Sequence, residues 1–245
     1  MRKIFLVLSI LTLGSLTFAD KNVVEIRGGY DLYSNTNLQD GKIINGDGPN
    51  YGNDISDELV ETGYTLAVEY RREILDGFQI GGGLKYSNSK TKQPSDFSGF
   101  FLWEATEYDY ENLTSIPLYF TARYNFKNSS EFTPYVKLNL GYSFNSSNLK
   151  ETQHFLNANT GQIDGTYIGF DYDAEDGLYY GFGFGLEYKN FLVDLSYEIN
   201  DYKYKGKYYT SAGMYNGVVK TEYQSDEIKS TNQKLNLSIG YQFEF

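Results

Sequence analysis

From Gln233 to the terminal Phe245 every second residue is apolar: Leu235, Leu237, Ile239, Tyr241, Phe243 and Phe245. The residues between them, Lys234, Asn236, Ser238, Gly240, Gln242 and Glu244, are polar or small. A period of two held this long cannot be an amphipathic helix; it is a strand with one greasy and one wet face. What the chain can be then depends on which environment each face meets.

The pattern recurs seven times upstream: Val24–Leu32, Tyr64–Arg71, Phe78–Tyr86, Ile116–Phe126, Tyr135–Phe144, Tyr180–Tyr188 and Phe191–Ile199. Each is close to the roughly 9–11 residues that a tilted strand needs to cross a bilayer. The connections alternate in length. Asp76-Gly77, a strong hairpin signal, the stretch Lys127–Thr133 and the pair Lys189-Asn190 are short links. The links over 34–62, 87–114, 146–178 and 201–232 are long. Eight strands with short turns at one end and long loops at the other predict an all-β fold: a transmembrane, eight-stranded, antiparallel, up-and-down β-barrel. The long loops are expected outside the cell and both termini in the periplasm.

The two faces sort by chemistry. The apolar face has aliphatics in the middle, such as Leu66, Val68, Ile80, Leu118, Leu138, Val193, Leu195 and Ile239. Aromatics bound it at both ends: Tyr70, Phe78, Tyr124, Phe126, Tyr188, Phe191, Phe243 and Phe245 at one, Tyr30, Tyr64, Tyr86, Phe144 and Tyr180 at the other. Two aromatic belts around an aliphatic band match the preference of such rings for membrane–water interfaces. The opposite face carries Glu25, Arg27, Glu69, Arg71, Lys85, Arg123, Lys137, Glu187, Asp194, Glu198 and Lys234, with Asp31, Asn125, Asn139 and Asn236. A soluble lipocalin-like barrel would turn the apolar face inward and leave the twin belts unexplained. In hydrocarbon only a closed barrel leaves no unpaired edge, so the first and last strands are expected to pair.

The N-terminus agrees with export. Arg2-Lys3, an apolar run from Ile4 to Leu13 and the small-residue pattern Thr17-Phe18-Ala19 describe a signal peptide over 1–19, leaving a barrel domain over 20–245. No segment offers the roughly 18 apolar residues of a membrane helix. Mean hydropathy is −0.48, as a barrel permits when only alternate residues meet lipid. With no cysteine there is neither a disulfide framework nor a thiolate metal site. The formal charge is −11, and loss of Arg2 and Lys3 leaves nineteen basic against thirty-two acidic residues, −13. No basic stripe exists for nucleic acid.

These residues resemble a known group: the small eight-stranded outer-membrane barrels that include the OmpA transmembrane domain, OmpW and the opacity proteins. The resemblance rests on Ser115–Tyr124, Thr133–Val136, Leu140-Gly141-Tyr142 and the terminal Tyr241–Phe245. It implies location in the outer membrane of a Gram-negative-type bacterium, contact with membrane lipids and lipopolysaccharide, and recognition of Tyr241, Phe243 and Phe245 by the barrel-assembly machinery. Unlike full-length OmpA, the chain ends at its last strand, so no periplasmic peptidoglycan-binding domain is expected.

An eight-stranded barrel is just wide enough for side chains to fill it, so the inward charges are expected to form a salt-bridged plug. Glycines at 81, 83, 181, 183 and 185 leave a narrow water path as the competing reading, unless Tyr119 and Arg123 fill that space. Catalysis is not expected: the one histidine, His154, lies among ordinary loop residues. The run Asp171–Gly177 fails as a calcium loop, with Asp176 where glycine and Phe182 where glutamate belong. No metal or cofactor is expected. The long loops are rich in Tyr, Asn, Ser and Gly, as in Asn45–Tyr51, Lys207–Thr210 and Met214–Asn216, and hold the only tryptophan, Trp103. Such surfaces suit adaptable binding; the equal alternative is that Tyr is simply abundant and the strands extend above the membrane as a packed hairpin crown. The sequence therefore points to a non-enzymatic, structural or surface-interaction protein whose loops meet host or cell-surface ligands, as in adhesion. A narrow channel for small or hydrophobic solutes stands second, and an outer-membrane enzyme a distant third.

Overall fold

The computed structural model describes residues 21–39, 60–91, 104–156, 160, 163–212 and 220–245. The expected signal peptide, the Asn45–Tyr51 and Met214–Asn216 loop segments and Trp103 lie outside the described residues. The described chain forms eleven strands: β1 (Asn22–Gln39), β2 (Val60–Leu75), β3 (Phe78–Thr91), β4 (Glu104–Tyr110), β5 (Leu113–Asn125), β6 (Phe132–Ser146), β7 (Asn148–Leu156), β8 (Ile163–Ala174), β9 (Gly177–Tyr188), β10 (Phe191–Ala212) and β11 (Lys220–Glu244). Eight of them, in the order β11-β1-β2-β3-β5-β6-β9-β10, form an antiparallel sheet that β10–β11 pairing closes into a barrel. The first and last strands pair as chain closure demands, from Val24↔Phe243 through Tyr30↔Leu237. Turn chemistry sets the short links: Gly77 (φ 75°) and Lys189 (φ 55°) take the left-handed conformation that tight hairpins need.

Three strands occupy stretches expected to be loops. β4 lies in the 87–114 link, and β7 and β8 in the 146–178 link. The 201–232 link is largely the continuation of β10 and β11, which run for 22 and 25 residues. Both are about twice the length a membrane crossing requires. Above the barrel they join β8, β7 and β4 in a five-stranded sheet, β11-β10-β8-β7-β4, here termed the crown. The bounds of these strands are hard to read from the sequence because Tyr and Thr among charged residues carry their period of two, as in Glu-Ala-Thr-Glu-Tyr-Asp-Tyr (104–110). That composition looks like loop.

Strands β10 and β11 show why the barrel spans a membrane. On their outer face Val193, Leu195 and Tyr197 give way to Asp201, Lys203 and Lys205, and Ile239 and Leu237 give way to Thr231, Lys229 and Glu227. On their inner face the change is opposite. Asp194, Ser196, Glu198 and Asn200 are followed by Tyr202 and Tyr204, and Lys234 and Asn232 by Ile228. The crown thus has an ordinary apolar core of Val60, Tyr110, Leu113, Leu149, Tyr172, Tyr202, Tyr204 and Ile228. Water outside calls for an apolar inside; lipid outside permits a polar one. The double reversal places the hydrocarbon boundary near Ile199 and Leu235. Below it, Leu66 is 54% exposed and Ile239 63%, while Arg71 and Arg123 are 1% exposed.

Aromatic pairs ring both edges of this band. Phe191–Tyr241, Tyr241–Phe243 and Phe132–Tyr188 lie at the short-turn end, Tyr64–Tyr86 and Tyr142–Phe144 toward the crown. Rings also enter the middle of the band, where aliphatics alone were expected: Phe120, Phe182 and Phe184 are exposed there.

Candidate functional site

Two places carry chemistry: the lumen within the membrane and the crown above it.

Strand alternation turns Glu25, Arg27, Glu69, Arg71, Lys85, Arg123, Lys137, Asp194, Glu198 and Lys234 inward, all buried, with Glu187 partly so. Eight of these converge in the half toward the short turns. Arg27 Nε lies 2.7 Å from Glu25 Oε1, and its Nη1 3.3 Å from Asp194 Oδ1. Glu69 receives both Arg27 and Arg71, the latter at 2.6 Å, and Tyr119 donates its hydroxyl proton to the same carboxylate at 2.7 Å. Arg71 also reaches Glu25 at 2.5 Å, Lys137 pairs with Asp194 at 2.8 Å, and Arg123 pairs with Glu187. The Arg123 guanidinium stacks 3.6 Å from the centre of the Tyr135 ring. Nearer the crown Lys85 pairs with Glu198. Lys234 lies 3.5 Å from Asp31 and donates to Ser87 (3.0 Å) and Ser89 (2.5 Å).

With Asp31 included, six acidic side chains face six basic ones. Buried charge is tolerable only when paired, and this lumen is formally neutral. Tyrosine rings fill the space beside two of the inward glycines. A Cβ on Gly83 would lie 2.6 Å from the Tyr119 ring, and one on Gly185 2.3 Å from that of Tyr135. Between these side chains remain cavities of about 20 Å³, beside Lys85, Tyr179, Asn200 and Lys234, and about 10 Å³, beside Arg27, Tyr119 and Asn139. Each has room for roughly one water.

Tyr135 and Tyr179 were not singled out in the sequence. Their parity with Lys137 and Gly181 carries the signal: counting by two places both rings in the lumen. Glu244, on the wet face of the last strand, sits at the rim, 2.6 Å from Lys21. At the same end Lys127 lies 2.7 Å from Glu73 and 2.5 Å from Asp76. Burial works to raise the Glu73 carboxyl, but its bonds from Lys127 and the Gly77 N–H outweigh that and hold it below the ordinary value.

The crown is held on one face by its apolar core and on the other by polar pairs. Lys203 Nζ donates to Glu227 at 2.8 Å, and Asn148 Nδ2 to Asp171 (2.8 Å) and Asp173 (3.0 Å). Register places His154 opposite Ala105 and Thr166; its side chain lies outside the described ones. Among the described residues no cluster of three or more His, Asp or Glu is arranged to hold a metal ion. The four inter-strand stretches at this end, 34–62, 87–114, 146–178 and 201–232, hold nine basic and twenty-one acidic residues, a charge of −12. The rest of the chain after residue 19 contributes −1. The acidity of the protein belongs to this end of the barrel.

No family model matches the chain. It is similar to the outer-membrane protein OprG of Pseudomonas aeruginosa, at 13% identity and a TM-score of 0.43, over 91% of this chain and 96% of that one. It is likewise similar to Neisserial surface protein A, at 15% identity and a TM-score of 0.39, over 91% and 97%. The uncharacterized protein PM1543 of Pasteurella multocida (strain Pm70) is 32% identical over 175 residues, spanning 67% of this chain and 68% of that protein. The closed eight-stranded barrel with its inverted interior makes the chain an outer-membrane β-barrel protein, and its identity to PM1543 of Pasteurella multocida places it in the same family as that protein.

Proposed function

We propose that this protein is a non-enzymatic surface-interaction protein, in which the barrel is the anchor and the crown meets ligands outside the cell. The division of charge carries the reading: the lumen is formally neutral, while the inter-strand stretches at the crown end hold nearly all the net charge. A binding surface is more precise when built on paired strands than on loops. The crown core also keeps the surface rigid, which lowers the ordering cost of binding. The outer-leaflet partner at its base is lipopolysaccharide, and Tyr241, Phe243 and Phe245 present the terminal signal to the barrel-assembly machinery.

The test is a trimmed strain. Replacing 92–110, 149–172 and 202–230 by Asn-Gly turns removes the crown and keeps every membrane-spanning strand. The trimmed protein is expected to reach the outer membrane, migrate as a folded barrel and lose adhesion to cells or matrix. Unchanged adhesion overturns the reading. Discrete conductance of the purified intact protein in planar bilayers would replace it with a channel.

A further inference from the structure

We propose that the β2–β3 turn holds a modification site, the Asp76-Gly77 peptide, and that Glu73 and Lys127 form a clamp that keeps it from converting to isoaspartate.

The chemistry is general to aspartate followed by glycine. The Gly77 amide nitrogen loses its proton and attacks Cγ of Asp76. A carboxyl oxygen leaves as water, and a cyclic imide closes. Water then adds to either imide carbonyl. One opening restores aspartate; the other leaves the main chain running through Cβ and Cγ, as isoaspartate. No oxidant or reductant is consumed. Glycine hinders the attack least, because it has no Cβ. Two conditions remain. The amide nitrogen must be free to turn toward Cγ, and the carboxyl must be protonated, since a carboxylate is a poor electrophile.

The structure opposes both. The Gly77 N–H donates to Glu73 Oε1 at 3.0 Å, and the Gly77 carbonyl accepts from the Asn125 N–H at 2.7 Å. Glycine is thus held from two sides, and turning its nitrogen toward Cγ breaks the bond to Glu73. Lys127 Nζ lies 2.5 Å from Asp76 Oδ1 and 2.7 Å from Glu73 Oε1. One ammonium therefore favours the ionised, unreactive form of Asp76 and steadies the carboxylate that holds Gly77. The bonds to Asp76 and Glu73 raise the Lys127 ammonium above its ordinary value, so it stays charged in this role. Exclusion of water is not the protection, because the Asp76 side chain is 89% exposed.

The site matters because Asp76 and Gly77 are the whole link between the paired Leu75 and Phe78. An isoaspartyl link adds one carbon to that short path. The pairing it sets places Arg71 opposite Gly81 and Glu69 opposite Gly83. A covalent change at the rim thus bears on the charges of the lumen.

The full-length protein in lipid nanodiscs is aged at mildly acidic pH in heavy-oxygen water, and the peptide holding Asp76 is mapped by mass spectrometry. Each passage through the imide leaves one heavy oxygen, whichever carbonyl opens. The folded parent is expected to take up label at Asp76 about tenfold more slowly than the same chain in urea, the effect of roughly 1.4 kcal/mol. Glu73→Ala and Lys127→Ala, each shown to migrate as a folded barrel, should each label about threefold faster than the parent or more, as loss of one hydrogen bond allows. Lys127 lies in an exposed link, so its variant keeps the test open if Glu73→Ala fails to fold. Glu131→Ala, on the same link and with the same loss of charge as Glu73→Ala, should match the parent. Label uptake in the folded parent as fast as in urea would overturn the proposal. So would parent rates in the folded clamp variants, or an equal acceleration in Glu131→Ala.

Discussion

Glu69 is the side chain on which the lumen account is most exposed to test. It is 1% exposed and takes hydrogen bonds from Arg27, Arg71 and Tyr119. Glu69→Gln changes shape little but leaves five carboxylates facing six cations. Two guanidiniums then share Glu25, which Arg123 also approaches at 3.5 Å. Breaking a buried pair from one side costs about 3–5 kcal/mol, because the abandoned charge stays in a poor solvent. With a urea slope of about 1–3 kcal/mol per molar for small proteins, the unfolding midpoint in lipid vesicles, read by circular dichroism, should fall by about 2 M. Restoring neutrality should recover much of this. Glu69→Gln/Arg71→Gln is expected to be more stable than the sum of its single variants by about 1–3 kcal/mol, the range seen for groups in one network. A single variant as stable as the parent, or additive losses, would show that the lumen is not held by charge balance.

The remaining expectations concern packing, lipid and protons. Gly83→Ala drives a Cβ into the Tyr119 ring and should cost about 1–3 kcal/mol as overpacking does; it should cost markedly less in a Tyr119→Leu background, and an equal cost there refutes the interlock. Ile239→Arg should destabilise the folded barrel in vesicles by about 2–4 kcal/mol if Ile239 lies near the bilayer midplane, and Phe243→Arg, close to the rim, by about 0–1 kcal/mol. Equal penalties would contradict the assigned depths. In carbon-detected NMR the Glu73 carboxyl should titrate below 4.5 and move back toward it in Lys127→Ala. Because the folded value is lowered, its contribution is complete above the unfolded value and fades as pH falls through the folded one. A Glu73 titration untouched by Lys127→Ala would sink that assignment.

How much of this was legible in the sequence follows from where its signal is strong. In the membrane the contrast between faces is extreme, so Leu235 to Phe245 and Lys234 to Gln242 sort themselves by counting, and the same count places Arg71 beside Glu69 and Glu25. Pairing across the lumen is not countable: that Arg27 of β1 meets Asp194 of β10 depends on closure and stagger. One register detail was hidden for the same reason. The shift between Asp31 and Tyr33 leaves both Leu32 and Tyr33 outward, which no strict alternation foretells. Above the membrane the outer face is polar and the core is built from tyrosines, whose hydroxyls make them look like surface residues. Tyr202 and Tyr204 are therefore read as loop until their neighbours Leu149 and Ile228 are known.

The central claim is that lipid meets the apolar face of the barrel and that this contact ends near Ile199. With no native cysteine, single cysteines at Val193, Leu195, Tyr197, Ile199, Asp201, Lys203 and Lys205 can each carry a nitroxide along one outward column of β10. Accessibility to oxygen and to a water-soluble nickel chelate, measured in vesicles, gives the depth of each label. Oxygen should dominate from 193 to 197, the two should cross between 199 and 201, and the chelate should dominate at 203 and 205. Chelate accessibility along the whole column would mean that water, not lipid, covers this face, and would contradict the account.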